Sequence, residues 1–201
     1  MYPREIHQML PFFAYGDAIG NQALEIRRLL RESGYRSHIF AENWDTRLAE
    51  ECYSYREYYH YSHPDNLLLL HYSTGAEINR YVMDLPDRVI LYYHNITPAR
   101  YMYWVNGELA RQLKEARQEL ENWAEKVPAI AASPYNAEEL RVMGFRVIGI
   151  APYILTFEQL DAGLKGQGSR RIMQQFANPI RRLLRESGYR SHIFAENWDT
   201  R

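Results

Sequence analysis

With 201 residues, 46% of them hydrophobic, the chain suits one ordinary domain plus a tail, built around a single core. Its 24 Lys+Arg against 25 Asp+Glu leave a net charge of −1, so no global field draws it onto nucleic acid, and none is expected as a partner. The single cysteine, Cys52, excludes an internal disulfide and the ligand pairs of a structural zinc site, and the opening MYPREIHQMLPFFAYGDAIG has neither a membrane-spanning run nor a signal-peptide cleavage pattern, so a soluble cytoplasmic protein is expected.

From Ile6 to Phe13 the residues are largely apolar. GDAIGN then intervenes, and Ala23, Ile26 and Leu30 recur at helical spacing until Gly34. This predicts a strand, a glycine turn and a helix, with Asn21 as N-cap and Gly34 as the left-handed residue that closes the helix. YRSHIFAE follows as a second strand. NLLLLHYS (66–73) and RVILYYHN (88–95) are continuous apolar runs of the kind found in parallel strands covered on both faces, and GAEINRYVMDLP between them supplies a short helix. GELARQLKEARQELENWAEK places Leu109, Leu113, Ala116, Leu120 and Trp123 along one helical face, with Trp123 in the core. PAIAAS is a further buried strand. NAEELRVM is a helix in which Asn136 and Glu139 have capping-box spacing and which Gly144 ends, and FRVIGIAPY is the last strand.

Strands alternating with helices over residues 6–155 predict an α/β fold, a single Rossmann-like open parallel sheet with helices on both faces. Ligands of such sheets sit beyond the carboxyl ends of the strands, which directs attention to the turns GDAIGN, AENW, HYSTG, HNITP and SPYN. Residues 1–160 form the domain. Residues 161–179 read as a glycine-rich linker and a short helix, and residues 180–201 repeat residues 26–47 letter for letter. The repeated unit is one helix and one strand, unable to bury its own faces. The first copy is the native one, since only it follows the strand and glycine turn that close it into the sheet at low entropic cost. The second, a C-terminal helix-strand extension, is left to strand addition or to domain swapping into a homo-oligomer.

Each turn carries a functional and a bland reading. GDAIGN could bring its backbone close to a phosphate or a sugar, or be a tight strand-to-helix turn. As a dinucleotide fingerprint it has Ala18 where the second glycine belongs, although Glu42 falls about where a ribose-binding acid would. His94 ends a buried strand, a position from which a side chain faces the cleft, and its position favours function over a histidine satisfied by a neighbouring carbonyl. Ser133 is equally a cleft residue or a helix cap. His60, His63 and His71 are close in sequence but lack ligand spacing, so no metal site is assigned. Tyr53, Tyr55, Tyr58, Tyr59 and Tyr61 alternate partly like a strand and are expected on the sheet edge, with sugar stacking the sharper alternative. Arg27, Arg28 and Arg31 give the first helix a basic face, solvated or open to peripheral contact with an anionic membrane.

Taken in order, FFAYGDAIGNQALEIRRLLRESGYRSHIFAE, LLLLHYSTG, LYYHNITPARYM and ASPYNAEELRVMGFRVIGIAPY resemble the amino-terminal domain of a bacterial family 4 glycosyltransferase over about residues 5–160. The resemblance implies the GT-B fold, two facing Rossmann-like domains of which the amino-terminal one binds mostly the acceptor, and a transfer that retains anomeric configuration. It also implies a nucleotide sugar and a glycan or lipid-linked acceptor as partners, with no cofactor and no metal. Carried over, Gly16 and Gly20, with Asp17 and Asn21 in the same turn, approach the donor diphosphate. His94 is the catalytic-site histidine near the transferred sugar, with Asn95 and Thr97 beside it, and Ser133 and Asn136 line the acceptor side. Glu42 and Glu50 have the spacing of the family's glutamate pair but come after a strand of the other domain, so that match is accidental. PYILTFEQLD resembles the interdomain hinge. The residues beyond that hinge do not resemble a donor domain, so the chain is expected to be inactive alone. The competing expectations are a non-catalytic or engineered binding module and, less favoured, a dinucleotide-dependent oxidoreductase.

Overall fold

The structure, a computed structural model, describes residues 3–154. In chain order the elements are β1 (Ile6–Phe13), α1 (Ala18–Glu32), β2 (Ile39–Trp44), β3 (Tyr53–Ser54), β4 (Leu67–Tyr72), α2 (Glu77–Met83), β5 (Arg88–Tyr93), α3 (Gly107–Glu121), β6 (Ala129–Ala131), α4 (Pro134–Val142) and β7 (Val147–Ile150). The strands form one seven-stranded sheet in the order β3-β2-β1-β4-β5-β6-β7, and every pairing is parallel. This is the α/β, Rossmann-like sheet expected from the alternation of elements. The connections run outward in both directions from β1 and β4, and that reversal places a crevice at their carboxyl ends.

Both faces are covered, which is why β4 reads as an unbroken apolar run and is buried along its whole length. On one face Met9, Leu68, Leu70, Tyr72, Leu91 and Tyr93 pack with Ile78 and Val82 of α2, Leu113, Ala116 and Leu120 of α3, and Ala137 and Leu140 of α4. On the other, Ile6, Leu67, Leu69, Ile90 and Tyr92 pack with Ile26 and Leu30 of α1 and with Ile154, while Leu10, Ile39 and Ala41 meet Ala23. Trp123 is core, its ring edge-on to Tyr72. Among the described residues no helix is long and apolar enough to cross a membrane.

Residues 26–47, the first copy of the repeat, make up the second half of α1 and β2, paired with β1. The linker, the hinge-like stretch beyond Ile154 and the second copy lie outside the described residues, and with them the expected helix-strand extension and its swapping.

Local chemistry corrects four details. The N-cap of α1 is Asp17, not Asn21: Gly16 turns the chain at φ +73, Asp17 is extended, and its carboxylate accepts from the N–H groups of Ile19 and Gly20. Asn21 falls inside the first turn and is exposed. The N-cap of α4 is Ser133, whose Oγ accepts from Asn136 N–H at 3.1 Å, with Pro134 in the first turn, where its missing N–H costs nothing. Asn136 and Glu139 therefore form no capping box. The buried stripe of α3 runs through Ala110 in place of Leu109, which is 36% exposed, because the other buried positions fix a phase one residue later. Finally, Tyr53–Ser54 is a strand that extends the sheet edge, and the next residues coil into a 3-10 helix, Tyr55–His60, so the tyrosines do not continue as a strand. Gly34 and Gly144 take left-handed conformations at the ends of α1 and α4, as expected.

Candidate functional site

Because every strand pairing is parallel, the turns after β1, β5, β6 and β7 all lie at the carboxyl edge of the sheet. In the first, Gly20 is buried, and a Cβ placed on it would sit 2.5 Å from the carbonyl oxygen of Ala14, so α1 can start this close to β1 only with glycine there. Gly16 is needed for its positive φ and has open space around it. Both glycines are thus explained by the turn itself. Asp17 is exposed and places a carboxylate on the N-terminus of α1, where an incoming phosphate would otherwise be attracted.

His94 lies one residue beyond β5, where its N–H donates to Tyr72 O at 2.9 Å. Contrary to the expectation of a ring open to the cleft, the residue is 8% exposed, and both ring nitrogens are engaged. Its Nε2 is 2.9 Å from His71 Nδ1, with the two rings stacked at 3°, and its Nδ1 is 3.0 Å from the Tyr153 hydroxyl. His71 Nε2 in turn is 3.0 Å from Gln8 Oε1, and Gln8 Nε2 donates to Ala23 O at 2.9 Å. Burial lowers the His71 pKa to about 3, and burial followed by His71 holds His94 well below its ordinary value. Both rings are therefore neutral at physiological pH. Tyr153 is pushed the other way, first by burial and then by the nearby Asp17 carboxylate, so it stays a protonated donor.

A second network holds Tyr153 over His94. Gln22 of α1 donates to Tyr92 OH at 2.9 Å and accepts from Ile154 N–H at 2.6 Å, and Tyr92 OH donates to Ala151 O. The segment leaving β7 is thus tied to α1 and β5 on either side of Tyr153. Asn95 is the one described non-glycine residue with positive φ, +85, a strained conformation that asparagine tolerates best. The next N–H, of Ile96, donates to Tyr93 OH at 3.1 Å. Tyr93 donates to Glu139 at 2.6 Å, and Arg117 pairs with the same carboxylate at 2.7 Å. Thr97 beyond it is exposed. Ser133 and Asn136 occupy the neighbouring β6–α4 turn, where the Ser133 hydroxyl serves the helix cap and Asn136 is buried.

The remaining residues singled out from the sequence have structural employment. Glu42 accepts from Ile78 N–H at 2.8 Å and so caps α2, which leaves less of that carboxylate for a ribose. Arg27 pairs with Glu51, Arg28 with Glu25 and Glu32, and Arg31 donates to Ser37 O, so the basic face of α1 is largely spent within the chain. Tyr53, Tyr58 and Tyr61 pack with Phe40 and His38 on the sheet edge, whereas Tyr59 is exposed against His60. His63 accepts from Asp65 N–H. Cys52 is buried, which pushes its thiol up to about 11, too high for a nucleophile at neutral pH.

Sequence reasoning placed His94 at the right end of the right strand but missed Gln8, Gln22, Tyr92 and Tyr153, and considered His71 only as a metal ligand. A signal for His71 was present: it is the one polar residue in LLLLHY, at the carboxyl end of a strand that pairs with β5. Chemically, the edge offers a neutral imidazole backed by an ordered hydrogen-bond chain, a strained turn beside it and a tyrosine over it. No protein-family model matches the chain, and none of the curated proteins is similar enough to match it.

Proposed function

We propose that residues 3–154 are the acceptor-side half of a retaining, nucleotide-sugar-dependent glycosyltransferase, working with a donor-binding domain that faces the carboxyl edge. The reading rests first on the resemblance carried by the GDAIGN and HNITP turns. The observation that carries it is the hydrogen-bonded chain that crosses the reversal of strand order from Gln8 of β1 to His71 of β4 and ends at His94, one strand further along the same carboxyl edge, where open parallel sheets bind ligands. His94 has an ordered support on one side and an outward nitrogen met by a single hydroxyl on the other. In this reading His94 lies beside the transferred sugar, Asn95 and Thr97 shape the loop next to it, and Ser133 and Asn136 border the acceptor. Asp17 keeps the α1 N-terminus for its own carboxylate, so most contacts to the donor diphosphate fall to the facing domain.

The engagement of Glu42 weighs against the dinucleotide alternative. Calorimetry separates the readings. Nucleotide sugars should bind this chain more weakly than roughly 100 μM, since one wall of a cleft offers few contacts to offset the entropy of holding a ligand. NADH should give no fluorescence titration. Submicromolar binding of any nucleotide sugar would put the donor site in this domain, and tight NADH binding would replace the proposal with an oxidoreductase.

A further inference from the structure

We infer that Gln8 and His71 are positioning residues that fix the tautomer of His94, so that His94 offers a hydrogen-bond acceptor, not a donor, towards the carboxyl edge. Direction enters the chain at its buried end. The carbonyl of Ala23 can only accept, so the Gln8 atom 2.9 Å from it is the amide nitrogen, and the other Gln8 atom, facing His71, is the oxygen. That oxygen also only accepts, so His71 Nε2 carries a hydrogen. His71 is fully buried, and among the described residues the polar contacts to its ring are Gln8 and His94, neither a carboxylate, so it is neutral and its Nδ1 is bare. His94 Nε2 must then donate to His71 Nδ1. His94 is neutral for the same reason, which leaves its Nδ1 with a free lone pair pointing at Tyr153, whose hydroxyl donates to it.

Among the described residues no hydrogen bond on the outer side sets this polarity: the Asp17 carboxylate acts on Tyr153 through its charge, and the hydroxyl's partner is His94. A tyrosine hydroxyl can donate or accept, so Tyr153 follows whichever tautomer the interior dictates. The consequence is a specificity statement that rests on the proposed function: a ligand group replacing Tyr153 at His94 must bring a donor, such as a sugar hydroxyl, and an unprotonated phosphate oxygen is rejected there.

Long-range proton–nitrogen NMR of the histidine rings tests the inference without any activity measurement. In the parent chain at neutral pH, His71 and His94 should both show a protonated Nε2 and a bare Nδ1. In Gln8→Leu the acceptor for His71 Nε2–H is lost. Reversal then satisfies every N–H, with His71 Nδ1–H donating to His94 Nε2 and His94 Nδ1–H donating to Tyr153, so both rings should switch to protonated Nδ1. In Tyr153→Phe both should keep the parent tautomer. A protonated Nδ1 on His94 in the parent, an unswitched His94 in Gln8→Leu, or a switch in Tyr153→Phe would each overturn the inference. Should Gln8→Leu fail to fold, the parent and Tyr153→Phe spectra still decide. Failure of sugars to bind would sink the proposed function while leaving these spectra untouched.

Discussion

Lowering the pH from 7 to 5 is expected to remove on the order of 5 kcal/mol of folding stability, a large share of the ~5–15 kcal/mol that holds a typical domain. The cause is three buried histidines, His7, His71 and His94. Burial lowers His7 and His71 from 6.5 to about 3 and leaves His94 well below its ordinary value. The unfolded chain takes up these protons as the pH falls below 6.5, whereas in the folded chain His7 and His71 do not until about 3 and burial holds His94 off as well. The stability is therefore present above 6.5 and lost on acidification, at a limiting slope of about 4 kcal/mol per pH unit for three protons. His7 is held neutral by geometry as well as burial, because its Nδ1 accepts from His38 N–H at 3.2 Å. His38 and Arg36 reinforce the effect and Asp87 moderates it, while the Glu5 carboxylate lies 3.0 Å from His7 Nε2. Urea unfolding followed across this range should show the loss, and His7→Gln should reduce the limiting slope by about 1.4 kcal/mol per pH unit. A flat profile between pH 6.5 and 5 would mean that the folded histidines take up protons and that the neutral chain through His94 is wrong.

The two glycines of the GDAIG turn should respond very differently to one added methyl group. Gly20→Ala puts a Cβ 2.5 Å from a backbone oxygen, Ala14 O, which has no side-chain freedom with which to yield. The first turn of α1 must move, taking with it the Asp17 cap and the Gln22 contacts to Tyr92 and Ile154. A cost of about 3 kcal/mol is expected, at the upper end of overpacking effects. Gly16→Ala meets no atom within 4 Å and suffers only from φ +73, a strain of about 1–2 kcal/mol. Denaturant unfolding of the two variants checks the order. Equal costs would show that α1 can slide away from β1 and that Gly20 is not required by close approach.

The strands and helices were legible because parallel strands buried on both faces leave unbroken apolar runs such as LLLLHY, and each helix is bounded by a glycine, a proline or a capping side chain. Phase and neighbourhood were the misleading features. Asn21 and Asp17 are both good caps, and only the left-handed Gly16 makes Asp17 the extended residue. Leu109 outranks Ala110 in hydrophobicity, yet the packing of Leu113, Ala116 and Leu120 buries the alanine. The site was half legible. The rule that ligands bind at carboxyl ends of strands leads to His94 from sequence alone. Its supports could not be found that way: Gln8 and His71 are 63 residues apart, and Gln22 and Ile154 are 132 apart, so their meeting is a product of strand order.

The central claim is that ligands with sugar hydroxyls bind at the carboxyl edge around His94. Amide chemical-shift mapping of the labelled chain against a panel of simple glycosides and nucleotide sugars at millimolar concentration tests it most directly. Residues 16–20, 95–97 and 133–136 are predicted to respond together, along with the side chains of His94 and Tyr153, while the opposite edge around His7, His38 and Tyr53 stays silent. No response at those three turns, or a response confined to the opposite edge, would contradict it.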